Sequence, residues 1–257
     1  MEEIAPSGDS AFKRAIADAI RVFVHGFAFT RSLTHPYLAE RVGPLWALRD
    51  APRPRDDYRN EEWVAHGVEP AEIDRVVRAH TRGRFAICLI CAVDEPQAPA
   101  RAGFKALGYR LLRTEPLMIH RLAQIPHFDA PAVIERVTTV EMAKQLAKAA
   151  RMRPMASAHL TSDSTLRQYV ARVDDQVVGW VASIAVADAT WCSNMYVRPD
   201  VRRRGIARAM LCRMLQDDLA AGAQQAVLLA SHTGAKLYPV VGYEQIGTLL
   251  LFTPRRP

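Results

Sequence analysis

Apolar residues recur along this chain with two periods, and each change of period marks out an element. From Ala11 to about Phe27, Phe12, Ile16, Ala19 and Phe23 recur at helical spacing, with Asp9 or Ser10 placed as a cap. Two short apolar segments follow, "PLWALR" and "EWVAHGV", separated by the polar, proline-rich "DAPRPRDDYRN". They predict two strands joined by a loop. Pro70 opens "PAEIDRVVRAH", where Ile73, Val76 and Val77 share one helical face. "RFAICLICAV" has the pattern of a buried strand, "APARAGFKAL" that of a short helix, and "YRLLRTEPLMIHRL" that of a strand kinked at its proline. A linker over residues 124–132 closes this half.

The second half opens with the strand "VIERV". Thr138 and Glu141 then have capping-box spacing ahead of the helix "VEMAKQLAKAAR". "MRPMASAHLTSDST" is a long loop, and "LRQYVARV" and "VVGWVASIAV" flank the hairpin turn "DDQ". "TWCSNMYV" predicts another strand, leading through an arginine-rich turn into the helix "GIARAMLCRMLQDDLAAGA", which Gly222 stops. The strand "QQAVLLAS", the short helix "TGAKLYPVV" and the strand "YEQIGTLLLFT" complete the chain. The halves echo each other: "FKALGY" at 104–109 matches "YPVVGY" at 238–243, and "GVEP" at 67–70 sits over "YVRP" at 196–199. Only the second half has an arginine-glycine segment after that point.

Composition narrows the class without naming a chemistry. The 257 residues are 49% hydrophobic and 24% charged, as in a soluble globular protein of one large or two medium domains. The acidic start and the lack of a long apolar run predict a cytoplasmic protein with no membrane partner. Cys88 and Cys91 have CxxC spacing, but on a strand they point to opposite faces, and no second pair completes a zinc set. No metal is expected, and Cys88, Cys91, Cys192 and Cys212 read as buried free thiols. The net charge of +7 admits an acidic partner. The arginines are scattered and no aromatics interleave with a basic helix, which disfavours nucleic acid.

The segment "YVRPDVRRRGIARAML" carries the chemistry. A strand that turns through a glycine into a helix exposes the first N–H groups of that helix, with the positive end of its dipole behind them. Phosphate binds such a turn. Arg202, Arg203 and Arg204 add attraction, and Gly205 and Ala207 let the backbone approach a bulky anion. Neither a Walker loop nor a GxGxxG fingerprint is present.

"MYVRPDVRRRGIARAML" resembles the acyl-CoA-binding motif Arg/Gln-x-x-Gly-x-Gly/Ala of the GNAT superfamily of N-acyltransferases, met by Arg202, Gly205 and Ala207. "ASHTGAKLYPVVGYEQIG" resembles the C-terminal block of the same superfamily. The resemblance covers residues 133–253. It implies an α/β (α+β) fold with a mixed, mostly antiparallel sheet flanked by helices, arranged as two tandem GNAT-like halves. Residues 1–123 would be a degenerate domain without the cofactor loop, residues 124–132 the linker, and residues 133–257 the acetyl-CoA-binding domain.

The resemblance further implies that Met195, Tyr196 and Val197 pair with the pantetheine arm of acetyl-CoA. Its pyrophosphate would lie on the segment Arg202, Arg203, Arg204, Gly205, Ile206, Ala207 and Arg208, with Ser231 nearby. Tyr238 falls on the usual general acid, and an ordinary tyrosine keeps its proton at neutral pH. Phe104, its counterpart in the first half, has no proton to give. Transfer needs a neutral amine, which costs about 4 kcal/mol for a lysine-like group at pH 7 and about 1 kcal/mol for an α-amine. "ATWCSNMYV" has no carboxylate to act as base, which leaves Ser193 and Asn194 to bind substrate or orient a water, and His159, also a substrate-side candidate, or His232 as base. The expected activity is N-acetyl transfer from acetyl-CoA to a primary amine of a small molecule or protein, in a chain free to form a homo-oligomer. The alternative is a non-catalytic acyl-CoA sensor or scaffold.

Overall fold

The computed structural model describes the backbone of residues 8–255 and the side chains of residues 11–255. In chain order the elements are α1 (Gly8–Ser32), β1 (Tyr37–Val42), β2 (Leu45–Asp50), β3 (Glu61–His66), α2 (Pro70–His80), β4 (Phe85–Ala92), α3 (Gln97–Ala106) and β5 (Tyr109–His120). They continue with β6 (Val133–Arg136), α4 (Val140–Ala150), β7 (Leu166–Val173), β8 (Gln176–Val186), β9 (Ala189–Val197), α5 (Ile206–Ala220), β10 (Gln225–Leu229), α6 (Tyr238–Val241) and β11 (Glu244–Pro254). Two compact units result. One contains the chain up to Met118 together with residues 229–231 and the strand from Gln245 onward; the other contains residues 119–228 and 232–244.

In the first unit the strand order is β1-β2-β3-β4-β11-β5. β1 with β2, β2 with β3 and β4 with β11 pair antiparallel, whereas β3 and β4 are parallel and joined by α2. Trp63, Ile73, Val77, Phe104, Tyr109 and Phe252 meet in its core, where Phe104 stacks on Phe252 at 4.3 Å. In the second unit the order is β10-β9-β8-β7-β6, antiparallel except for the parallel pair β9 and β10, joined by α5. The sheets are mixed and mostly antiparallel with helices beside them, as expected.

Most elements fall where periodicity puts them, and the departures have local causes. β1 was not expected, because "YLAERV" alternates around a polar stretch too short to stand out. It forms by pairing with β2 from Tyr37↔Asp50 to Val42↔Leu45. The expected cap at Asp9 or Ser10 lies outside the described side chains. The cap of α4 is Thr139, whose hydroxyl accepts from the Met142 N–H at 3.2 Å, rather than Thr138. β5 runs unbroken through Pro116, whose carbonyl accepts from the Ala230 N–H at 2.9 Å. Gly222, at φ 89°, ends α5 as expected, because the left-handed turn there suits glycine. All four cysteines are buried and free. Among the described residues no helix is long and apolar enough to cross a membrane.

Candidate active site

β9 changes character after Trp191. Its parallel partner β10 is in register only at Ala189, Thr190 and Trp191, opposite Gln225, Ala226 and Val227. From Cys192 onward that edge of β9 has no β10 partner. A bulge falls at the same place: Trp180 faces Tyr196 and Ala182 faces Ser193, so Asn194 and Met195 together oppose Val181. Asn194 is exposed and takes the left-handed φ of 56°. A bulge bends its strand and increases the local twist, and here it accompanies the divergence of β9 from β10.

The first unit supplies the contrast. β3 and β4 stay in register over six pairs, from Glu61↔Phe85 to His66↔Ile90, and leave no open edge between them. Matching the starts of the two parallel pairs lays Trp63 over Trp191. Pro70 then follows Trp63 by seven residues and Pro199 follows Trp191 by eight. The extra residue lies in the bulge. The sequence reading missed it, although the offset was present in the two tryptophan-to-proline spacings.

β9 leads through a 3-10 turn, Pro199–Val201, to Gly205, the N-cap of α5 at φ 84°. No side chain caps this helix. Its first intrahelical bond is from the Ala209 N–H to the Gly205 carbonyl at 3.1 Å, so the N–H groups of Ile206, Ala207 and Arg208 have no acceptor within the helix. Arg202, Arg203 and Arg204 are exposed. Arg202 donates Nε to the Val197 carbonyl at 2.8 Å and lies 5.8 Å from the centre of the Tyr196 ring. Arg198 is held by Asp200 at 2.7 and 2.9 Å, whereas among the described residues Arg203 and Arg204 form no ion pair. The linker passes beside the turn. Arg208 lies 4.7 Å from the Phe128 ring centre, and a side chain at Gly205 would begin 3.3 Å from the Asp129 carbonyl oxygen.

α5 is anchored from behind. Asp218, fully buried, accepts from Arg167 of β7 at 2.7 Å, Ser183 of β8 at 2.7 Å and Thr190 of β9 at 2.9 Å. These bonds fix the helix to three neighbouring strands, one of which, β9, carries the open edge. Asp218 is one of two adjacent aspartates in α5, and no motif in the sequence marks the buried one.

Tyr238 begins α6 and is 7% exposed. Its ring meets Tyr243 edge-on at 5.6 Å. In the first unit Phe104 meets Tyr109 at 5.5 Å in the same manner, so the echoed motifs share a geometry. Burial, with Cys192 adding to it, pushes the Tyr238 hydroxyl well above the ordinary tyrosine range, so the proton stays on at neutral pH. The end of α6 is gripped by His120, whose Nε2 lies 3.1 Å from the Val241 carbonyl while its Nδ1 accepts from the Leu122 N–H at 2.9 Å. Burial lowers the pKa of His120, in keeping with a neutral ring that has one donor and one acceptor nitrogen. A side chain at Gly242 would begin 2.8 Å from His120 Nε2, and only glycine fits at that position, where φ is 107°.

The structure therefore places Ser193, Asn194, Met195, Tyr196 and Val197 on the diverging strand and residues 202–208 on the turn that follows. Tyr238 stands close enough to Cys192, the first residue of β9 beyond its pairing with β10, for Cys192 to add to the rise in its pKa. His159 sits in a 3-10 turn between α4 and β7. Ser231 belongs to the first unit, and His232 is exposed.

Residues 164–245 match the family model described as Acetyltransferase (GNAT) domain. The chain carries a GNAT domain. Solved structures share the fold of this chain. A GCN5-related N-acetyltransferase from Kribbella flavida is 18% identical at a TM-score of 0.63, over 93% of this chain and 96% of that one. A putative acetyltransferase of the GNAT family from Novosphingobium aromaticivorans is 17% identical at 0.53, over 93% and 99%. A tandem GNAT protein from the clavulanic acid biosynthesis pathway is 14% identical at 0.53, over 81% and 78%. No curated protein matches the sequence. At these identities the likeness concerns the fold, and the family match supports acyl transfer in general.

Proposed function

We propose that this GNAT chain is an acetyl-CoA-dependent N-acetyltransferase acting on a primary amine of a small molecule or protein, with residues 133–257 holding the cofactor and residues 1–123 holding none. The observation that carries this reading is the coincidence of two features: β9 loses its partner after Trp191, and the next helix begins with uncapped N–H groups beside unpaired arginines. An extended chain fits an open strand edge, and a diphosphate fits the start of such a helix. The amides from Arg203 to Ala207 would hold the diphosphate. Arg203 and Arg204 would neutralise it, and Arg202 joins them on releasing Val197. Met195 and Tyr196 offer backbone groups to the pantetheine arm.

When bound, the cofactor supplies an acyl thioester: the amine nitrogen bonds to its carbonyl carbon, the carbon–sulfur bond breaks, and the sulfur leaves with the electron pair. Tyr238 would supply the proton that the sulfur takes up and recover one from solvent; it carries that proton at neutral pH as any tyrosine does. The proton lost by the amine passes to solvent, because β9 offers no carboxylate. That arrangement favours an amine of low pKa over a lysine.

Calorimetric titration with acetyl-CoA tests the reading. Binding is expected, and Gly205→Glu should remove it, because the new side chain meets the Asp129 carbonyl, strains a φ of 84° and puts a carboxylate where the phosphate belongs. No binding by the unaltered chain overturns the proposal.

A further inference from the structure

The segment before β6 touches the arginine-glycine turn at two consecutive residues. Phe128 is the first, and the guanidinium carbon of Arg208 stands over its ring, 4.7 Å from the centre. Arg208 is the third residue of α5, one turn beyond the N-cap Gly205. Side chains in a helix lean toward its N-terminus, so Arg208 reaches back over the turn. One of its terminal nitrogens comes within 3.6 Å of the point where a side chain at Gly205 would begin. The carbonyl oxygen of Asp129, the second residue, comes within 3.3 Å of the same point. Phe128, Asp129 and Arg208 thus meet where the uncapped N–H groups of α5 emerge.

Arg208 sits where a cation is disfavoured. It adds positive charge to the positive end of the helix dipole, beside the exposed Arg202, Arg203 and Arg204. It is half-buried, yet among the described residues it forms no ion pair and no hydrogen bond. The Asp129 carboxylate pairs instead with His127 Nε2 at 3.2 Å. A guanidinium held over an aromatic ring uses none of its five N–H donors on an oxygen there, and its fork suits a phosphate. Gly205, Ala207, Arg208 and Phe128 all keep partial exposure, so a ligand can reach the turn from solvent.

We propose that Phe128 is a positioning residue of the cofactor site: it fixes the Arg208 guanidinium at the turn, where its N–H donors meet a phosphate of acetyl-CoA. The segment over residues 124–132 is then a wall of the site as well as a linker. The diphosphate and the ribose 3′-phosphate offer Arg208 the same chemistry. An apolar side chain of any shape would cover the stem of Arg208, whereas holding the cation needs the aromatic face. This inference rests on the acetyl-CoA reading and deepens it.

The test is calorimetric titration of the full chain and its variants with acetyl-CoA. Arg208→Met keeps the long stem, removes the charge and should weaken binding by about tenfold or more. Phe128→Leu keeps an apolar side chain, removes the aromatic face and should weaken binding about fivefold, whereas Phe128→Tyr should stay within about twofold of the unaltered chain. In the Arg208→Met background Phe128→Leu should weaken binding no further, because its effect runs through the guanidinium. Titration with 3′-dephospho-acetyl-CoA tells the two phosphates apart. Losses that vanish assign Arg208 to the ribose phosphate, and losses that persist assign it to the diphosphate. The inference is overturned if Phe128→Leu binds acetyl-CoA as tightly as the unaltered chain, if its loss is undiminished in the Arg208→Met background, or if Phe128→Tyr binds as weakly as Phe128→Leu. Failure of the unaltered chain to bind acetyl-CoA would instead defeat the reading beneath it.

Discussion

At the scale of single residues, the proposed proton donor Tyr238 is the one to test. Its hydroxyl is held protonated by desolvation, with Cys192 as a smaller contribution. Tyr238→Phe keeps the ring that packs on Tyr243 and removes only the proton donor. The expected result is a fall in kcat of about a hundredfold with acetyl-CoA affinity unchanged, read by steady-state kinetics and calorimetry. Gly205 and Gly242 were legible in the sequence as special positions. Each has positive φ with a neighbour close to where a side chain would begin. Phe128 was not legible, because an aromatic residue in a linker stands out only once its ring is found under the Arg208 guanidinium.

Among the elements, short helices depend on what holds their ends. α4 is capped by the Thr139 hydroxyl, and Thr139→Ala should lower the unfolding free energy by about 1 kcal/mol in urea titration. Thr138→Ala, the change that sequence spacing alone would suggest, should do much less. α6 relies on His120. Burial lowers the pKa of this histidine below the ordinary value of about 6.5. A base with a depressed folded pKa stabilises the fold above the unfolded value and loses that contribution as the pH falls through the folded one. Protonated Nδ1 can no longer accept from Leu122. The groups facing the ring are Glu244, which is paired with Arg121 at 3.8 Å and opposes the shift, and the Tyr243 ring at 5.2 Å. Melting temperature should therefore fall on acidification from pH 7 to pH 5, and His120→Gln should show a smaller fall.

For the whole molecule, the two units have one parallel strand pair each and differ at the point where the cofactor is proposed to bind. The pair β3 and β4 is in register along its length, and β9 parts from β10 after three residues. One acetyl-CoA per chain is the stoichiometry expected from calorimetry. Two would show that the first unit binds as well, and that a closed strand pair is no bar to the cofactor.

The sequence by itself determined the periods of its helices and strands, the stop at Gly222, and the arginine-glycine turn. These are local: side-chain spacing, a left-handed φ and an uncapped helix start are settled by residues a few positions apart. Only the tertiary structure decided that β11 lies between β4 and β5 in the first unit, a pairing that spans well over a hundred residues of chain. The same holds for the closing of Asp218 on three strands, and for the register of β7 on β8 and of β8 on β9 with its bulge. Strand register and helix docking are fixed by the burial of distant surfaces against one another, and no short stretch of sequence holds that information.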